Sequence, residues 1–158
     1  MMVLDDYSLD NAGHWLVTWG FAGQEFETLR SYAQEISFPA RATIFAQGDP
    51  SDGMYLVVEG MVLIFVRDDA GTEHTIAIVT EGQSFGELGL LVGKPRQETA
   101  AAGLNVRLLK IVPETLDRLE QEHPELMLKM YKVLAQTLAD QWLRGGPWAE
   151  RLWTQMHE

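Results

Sequence analysis

Residues 82–96 read Gly-Gln-Ser-Phe-Gly-Glu-Leu-Gly-Leu-Leu-Val-Gly-Lys-Pro-Arg, and this glycine-rich run decides how the chain is interpreted. Glycines ahead of a short helical turn allow backbone N–H groups to face outward, which suits a phosphate. Arg96 follows nine residues after Glu87, behind a Gly-Lys-Pro turn that can fold it back over the same place. A guanidinium offers a fork of donors to phosphate oxygens, and a carboxylate accepts from a sugar hydroxyl. The pattern predicts a site for a phosphate beside a ribose.

The sequence around this run, from residue 35 to residue 112, consists of short β-rich segments separated by turn residues. Many short strands at close intervals predict an antiparallel sandwich or barrel. Asp68 and Asp69 ahead of Ala70-Gly71 predict a hairpin turn. The predicted strand segments are ISF, TIFAQ, MYLVV, MVLIFV, HTIAIV, ETAAA and VRLLKIV.

The segments on either side of the strands have helical periodicity. Residues 1–34 predict two short helices, with glycines marking a break between them. After Pro113 the 3.6-residue period returns, which predicts a helix over about 113–122 and a second from Pro124 to Arg144. The chain therefore divides into N-terminal helices (1–34), a β core (35–112) and C-terminal helices (113–158).

The helix predicted over 124–144 has more apolar surface than a helix covering one barrel needs, which is an arc of about 100°. We expect the surplus to pair with the same helix of a second subunit, giving a homodimer. The alternative is that the N-terminal helices or residues 148–156 cover it. One apolar row is Met127, Tyr131, Leu134, Leu138 and Trp142, and the other is Leu126, Met130 and Val133.

The amino-acid composition argues against several classes of function. The chain has 158 residues, 46% of them apolar, and a net charge of −11, which argues against broad contact with nucleic acid or an anionic membrane. It has no cysteine, no histidine spacing typical of a metal site and no catalytic signature, so we expect neither an enzyme nor a metalloprotein. It also has no apolar run of about 18 residues and no basic signal segment, so we expect a cytoplasmic protein.

The run FGELGLLVGKPR resembles the phosphate-binding cassette of cyclic-nucleotide-binding domains, as found in cAMP-dependent kinase regulatory subunits, cyclic-nucleotide-gated channels and catabolite-activator-type regulators. The resemblance extends upstream through FPARATIFAQGDPSDGMYLVVEGMVLIF and downstream into the two C-terminal helices, over roughly residues 22–144. It implies a mainly β fold with flanking α, in which a jelly roll holds the cassette between two strands. The last helix would act as lid and dimer element.

The resemblance also implies roles for individual residues. The backbone N–H groups of Gly86 and Leu88 would face the cyclic phosphate or ribose of cAMP, cGMP or a related ligand. Glu87 would accept from the ribose 2′-hydroxyl, and Arg96 would bind the exocyclic phosphate oxygens.

In the bacterial regulators that the chain resembles, a polar residue late in the last helix meets the base. Counting from Pro124 places this contact near Gln141 and Trp142. Gln141 would then pair with the edge of a purine and Trp142 would stack on it. The alternative for Trp142 is simple packing in the apolar row.

The chain departs from the family pattern directly after Arg96. The family usually has small residues there, whereas this chain has Gln97 and Glu98. If Glu98 faces inward, its carboxylate at about 4 Å from a phosphate repels it by roughly 4 kcal/mol at an effective dielectric of 20. If Glu98 faces outward, Gln97 faces in and its amide can donate to the ligand. The sequence leaves both orientations open.

These observations predict a dimeric sensor module that binds a cyclic nucleotide and repositions its C-terminal helices. The resemblance would add a DNA-reading helix-turn-helix after the long helix, but residues 145–158 are too few to form one, so we expect no contact with nucleic acid from this chain. The alternative is a ligand-free scaffold that uses the same fold to bind an effector protein.

Overall fold

The computed structural model describes residues 17–143, apart from the side chains of residues 17–18, 88–90 and 140–143. Nine strands and four helices alternate in this range as β1-α1-β2-β3-β4-β5-β6-β7-α2-β8-β9-α3-α4. The strands are β1 (Val17–Thr18), β2 (Gln34–Phe38), β3 (Thr43–Phe45), β4 (Met54–Glu59), β5 (Val62–Arg67), β6 (Glu73–Val79), β7 (Gln83–Phe85), β8 (Thr99–Ala102) and β9 (Val106–Ile111). The helices are α1 (Gly23–Tyr32), α2 (Glu87–Val92), α3 (Pro113–Glu122) and α4 (Pro124–Leu143).

The strands form two antiparallel sheets. One has five strands in the order β1-β7-β4-β9-β2, and the other has four in the order β3-β8-β5-β6. The predicted fold class, mainly β with flanking helices, is confirmed. The strand after α2 belongs to the four-stranded sheet and the strand before α2 to the five-stranded sheet, so residues 86–98 cross from one sheet to the other at one end of the sandwich.

The core between the sheets takes every second residue of the strands. In β4, Tyr55 and Val57 face this core, while Met54 and Leu56 face the helices. Both faces of β4 are therefore buried, which explains why MYLVV is a continuous apolar run. The buried residues of the inner core are Phe45, Tyr55, Val57, Val62, Ile64, Ala77, Val79, Phe85, Ala100, Ala102, Val106 and Leu108.

A second core lies on the outer face of the five-stranded sheet, where α1, α3 and α4 pack. Its buried residues are Trp19, Leu29, Met54, Leu56, Leu109, Ile111, Leu119, Leu126, Met127, Met130 and Leu134. None of the helices within residues 17–143 is long and apolar enough to cross a membrane.

The N-terminal segment departs from the prediction of two helices. One of them is present as α1, but Val17 and Thr18 form a strand, with Val17 opposite Ser84 of β7. The helical spacing was misleading here because both residues are β-branched and lie against an open sheet edge, where pairing with β7 supplies hydrogen bonds. The remainder of the predicted first helix, residues 1–16, lies outside the described residues.

The apolar residues of α4 divide differently from the two predicted rows. The buried face takes members of both rows, whereas Tyr131 and Leu138 of the first row are 40% and 39% exposed. Leu128, which belonged to neither row, is 70% exposed. Within residues 17–143 the helix therefore has an exposed apolar stripe, and its residues are Leu128, Tyr131, Ala135 and Leu138.

The turn between β4 and β5 can hold only a glycine. Gly60 has φ +97°, and a Cβ on it would lie 2.3 Å from the carbonyl oxygen of Asn105. Gly71, in the turn between β5 and β6, has a similar φ of +82° but open space around it. Alanine substitutions at Gly60 and Gly71 therefore distinguish the effect of a steric clash from the effect of backbone strain alone.

We predict that Gly60→Ala lowers the free energy of unfolding by about 3 kcal/mol. The left-handed backbone accounts for ~1–2 kcal/mol and the clash for the remainder. Gly71→Ala should lose only about 1 kcal/mol, because it adds strain without a clash. Urea denaturation of both variants checks this, and equal losses would contradict the steric argument.

Candidate functional site

Gly86 joins β7 to α2 at a position where only a glycine fits. Its φ is +80°, and a Cβ would lie 2.7 Å from Nη1 of Arg96. The carbonyl of Gly86 accepts a hydrogen bond from the same Nη1 at 2.7 Å. The glycine of the cassette thus lets the backbone approach the arginine directly.

Two backbone hydrogen bonds fix Arg96 against the loop between β3 and β4. Its N–H donates to the carbonyl of Asp49 at 2.8 Å, and its carbonyl accepts from the N–H of Gly48 at 2.7 Å. Nearby, the Ser51 hydroxyl donates to the carbonyl of Lys94 at 2.6 Å. Hydrogen bonds to the turn Gly48-Asp49-Pro50 therefore position the backbone of Arg96.

The Arg96 side chain is only 2% exposed, which is unusual for a cation. Besides Gly86, it donates from Nη2 to the carbonyl of Gly53, and its guanidinium lies 4.1 Å from the ring centre of Phe45. Its Nε is buried and has no hydrogen-bond partner among the described residues. A buried charged donor without an acceptor is costly, and an anion placed there would satisfy it.

A second charge pair lies beside Arg96. The Asp52 carboxylate is 3.5 Å from Arg96 Nη2 and accepts a hydrogen bond from Lys110 Nζ at 2.8 Å. Lys110 lies opposite Tyr55 in the sheet, with Nζ 5.7 Å from the ring centre of Tyr55. The hydrogen bond from Lys110 holds the pKa of Asp52 below its ordinary value, with a smaller contribution from Arg96.

Glu87, the first residue of α2, is buried with 6% exposure. Its carboxylate accepts a hydrogen bond from the hydroxyl of Ser84 at 3.3 Å. Burial raises the pKa of Glu87, although its own backbone N–H, Ser84 and Arg96 favour the charged form. The carboxylate is therefore held dry beside the guanidinium and has acceptor capacity for a hydroxyl group.

The structure shows which of the two residues after Arg96 faces the site. Gln97 is exposed, whereas Glu98 is half-buried. Burial, together with the negative charge of Glu87, raises the pKa of Glu98 to about 7, although Arg96 opposes both effects. The inward orientation of Glu98, one of the two left open by the sequence, is the one observed.

Three of the predicted site residues, Gly86, Glu87 and Arg96, come together at the end of the sandwich. Leu88 follows in the first turn of α2, and its side chain lies outside the described residues. The side chains of Gln141 and Trp142, in the last turn of α4, also lie outside them, so their contact with a base stays a prediction. Gln97 is solvent-exposed, so its role as a ligand contact stays a prediction too.

Sequence reasoning assigned no role to four residues around the guanidinium. They are Phe45, Asp52, Gly53 and Lys110. A signal existed for Lys110, since it is a single cation late in the otherwise apolar run LLKIV. The partner, Asp52, is 58 positions away in the chain and has no local signature.

The arrangement suits recognition of a phosphate beside a hydroxyl, with Arg96 for the first and Glu87 for the second. Within residues 17–143, no group of three or more His, Asp or Glu side chains is placed to hold a metal ion. The site consists of the Arg96 guanidinium, the buried carboxyl group of Glu87, the half-buried carboxyl group of Glu98 and the polar backbone around Gly86.

Comparison with known proteins agrees with this geometry. Residues 35–123 match the family described as cyclic nucleotide-binding domain. The chain is 31% identical over 110 residues to the CRP-like cAMP-activated global transcriptional regulator of Mycobacterium tuberculosis, covering 70% of this chain and 49% of the relative. It is 32% identical over 121 residues to the cyclic AMP receptor protein of Thermus thermophilus, covering 77% of this chain and 56% of the relative. The chain thus spans about half the length of these curated relatives.

A solved structure extends the comparison to three dimensions. The N-terminal domain of a transcriptional regulator from Streptomyces coelicolor superposes with a TM-score of 0.70 at 27% identity, covering 79% of this chain and 89% of that domain. Since the matched family covers more than half of the 158 residues and includes the cassette, the chain belongs to the cyclic nucleotide-binding domain family.

Proposed function

We propose that this chain is a sensor module that binds cAMP, cGMP or a related cyclic nucleotide at the end of the sandwich where residues 86–98 cross between the sheets. The observation that carries the proposal is the buried Arg96 guanidinium, whose Nε–H has no partner among residues 17–143 and lies beside the buried carboxyl group of Glu87. A cyclic phosphate would accept from Arg96, and the ribose 2′-hydroxyl would donate to Glu87. The relatives described as cAMP-activated or as cyclic AMP receptor support the ligand class.

The proposal includes transmission of the signal through α4. The strands β4 and β9 contribute residues to the inner core and, on alternate positions, to the core under α4. Displacement of the loops around Arg96 would therefore reach the helical layer through two strands. We also propose that the protein acts in the cytoplasm and passes its state to an effector protein.

A second candidate function is a ligand-free scaffold that binds a protein partner through the same fold. Two observations favour it. Arg96 already donates to the carbonyls of Gly86 and Gly53, and Glu98 places a second carboxyl group toward the site. The two functions differ in whether a cyclic nucleotide binds at all.

We propose that the exposed stripe on α4 is a homodimer interface. Its residues Leu128, Tyr131, Ala135 and Leu138 are spaced by three, four and three positions, as in the apolar seam of a coiled coil. The buried residues Met127, Met130 and Leu134 lie on the adjoining face of the helix and belong to the core on the sheet, and within residues 17–143 the stripe beside them is exposed. A second copy of the helix would cover it. This replaces the predicted rows with a narrower interface on the same helix.

We predict that isothermal titration calorimetry detects binding of cAMP or cGMP, and that Arg96→Lys weakens it by about 30-fold. A lysine keeps the charge but loses the forked donors, a loss of roughly 2 kcal/mol. Arg107→Lys is the matched control, because Arg107 lies on β9 but is 43% exposed and pairs with Glu59 and Glu35. Near-UV circular dichroism of both variants checks that the fold is kept.

The titration also separates the two candidate functions. If neither nucleotide binds the wild-type protein more tightly than a Kd of about 1 mM, equivalent to roughly −4 kcal/mol, the sensor function is wrong and the scaffold stands. If the wild type and Arg96→Lys bound the nucleotide with equal affinity, Arg96 would not be a ligand contact.

We predict that the wild type sediments as a dimer of twice 17.8 kDa and that Leu138→Glu converts it to a monomer. A carboxylate in the seam would have to be desolvated against the partner helix. Gln136→Glu adds the same charge at an exposed position of the same helix outside the stripe, and this variant should remain a dimer. Sedimentation equilibrium measures both, and a monomeric wild type would refute the interface.

A further inference from the structure

We propose that this site takes up one proton together with its phosphate ligand and holds that proton on Glu98, so that affinity for a cyclic nucleotide falls as the pH rises. The inference rests on the proposed function, and it concerns a residue that the family pattern does not have, because the matching position usually holds a small side chain.

The orientation of Glu98 is the first step of the argument. Exposure alternates along this segment, with Arg96 buried, Gln97 exposed and Glu98 half-buried. Ala100 and Ala102 of the following strand, β8, belong to the core between the sheets. The half-burial of Glu98, with Glu87 and Arg96 as the charges that act on its carboxyl, places this side chain toward the site.

The charges around Glu98 are the second step. Glu87 of α2 and Arg96 of the loop before β8 are the charged groups that act on its carboxyl. Asp52 and Lys110 form the next layer, on the far side of the guanidinium. With all five groups ionised the cluster has three negative and two positive charges, a net −1 before any ligand binds.

An anionic ligand entering such a cluster would meet two carboxylates and the one guanidinium of Arg96. Protonation of one carboxyl removes the excess negative charge and turns an acceptor into an O–H donor. A neutral Glu98 would then donate its O–H to a phosphate oxygen. Burial raises the pKa of Glu87 as well, but its own backbone N–H, the Ser84 hydroxyl and Arg96 favour its charged form. In this scheme the proton is therefore held on Glu98, and Glu87 accepts from the ribose hydroxyl.

Glu98 gains and loses its proton near neutral pH. Burial and the neighbouring Glu87 raise its pKa to about 7, so about half of the molecules hold the proton at neutral pH. Below that pH the protonated, binding-competent form predominates, and above it that form is lost. Affinity should therefore be constant below about pH 7 and fall by about tenfold per pH unit above it.

The decisive experiment measures the Kd of cAMP by calorimetry from about pH 5.5 to about pH 8.5, a range in which the cyclic phosphate keeps its single charge. The wild type should show the tenfold slope, and Glu98→Gln should show none, because its amide donates at every pH. The double variant Gln97→Glu/Glu98→Gln keeps the net charge but moves the carboxyl to the exposed neighbour, and it should also lose the slope. Glu73→Gln, in the exposed β5–β6 hairpin, should keep it.

A ligand-free measurement tests the same residue without relying on nucleotide binding. The side-chain carboxyl signal of Glu98, assigned by its absence in Glu98→Gln, should titrate near pH 7 in a 13C NMR series and not near the ordinary value of 4.5. The folded state then binds more protons than the unfolded state between these two values, so the urea midpoint of the wild type should fall as the pH rises through that window. The fall should be smaller in Glu98→Gln.

The outcomes separate this inference from the proposed function. Tight binding with the same Kd at every pH, a slope retained by Glu98→Gln, or a Glu98 signal that titrates near 4.5 would overturn proton uptake while leaving nucleotide binding intact. Absence of binding by the wild type and by Glu98→Gln at every pH would overturn the proposed function and proton uptake with it.

Discussion

The buried guanidinium of Arg96 is the interaction on which this end of the molecule depends. A cation that is 2% exposed requires partners, and the chain supplies carbonyl oxygens from Gly86 and Gly53 and the face of Phe45. The two carbonyls come from separate connections and the ring from the end of β3, so one side chain links the β3–β4 loop and the β7–α2 junction to its own loop. Removing it would leave the carbonyls and the loops unsupported as well as the ligand.

This dual role bears on how a ligand could act. A phosphate that binds Arg96 competes for donors that now hold Gly86 and Gly53, and a ligand shifts an equilibrium only through contacts that differ between two states. Gly53 directly precedes β4, whose next residue, Met54, already packs under the helices. The path from the guanidinium to the helical layer is therefore one residue long at this strand. The five-stranded sheet, whose strand β4 borders the site, is also the sheet against which α4 packs.

The elements with strong local signals could be predicted from the sequence, and the relations between elements could not. Turn residues and the helical period located seven of the nine strands within residues 17–143, and also α3 and α4, because those patterns are short-range. The short strands β1 and β7 were not predicted. Pairing of Val17 with Ser84 and of Asp52 with Lys110 joins residues far apart in the chain, so no local pattern contains it. The orientation of Glu98 escaped for a different reason. It precedes the first residue of β8, and a two-residue period cannot be anchored outside a strand.

Glu98 shows how a departure from a family pattern can change a site without removing it. As a carboxylate at about 4 Å from a phosphate it would oppose binding by roughly 4 kcal/mol at an effective dielectric of 20. When its carboxyl group is protonated, Glu98 would instead provide one more hydrogen-bond donor to the phosphate. The free-energy cost of moving between these forms is small near pH 7, because burial and Glu87 have already raised the pKa of Glu98 to about 7. A position that looks incompatible with an anion when drawn with its ordinary charge is therefore compatible once its surroundings set its charge.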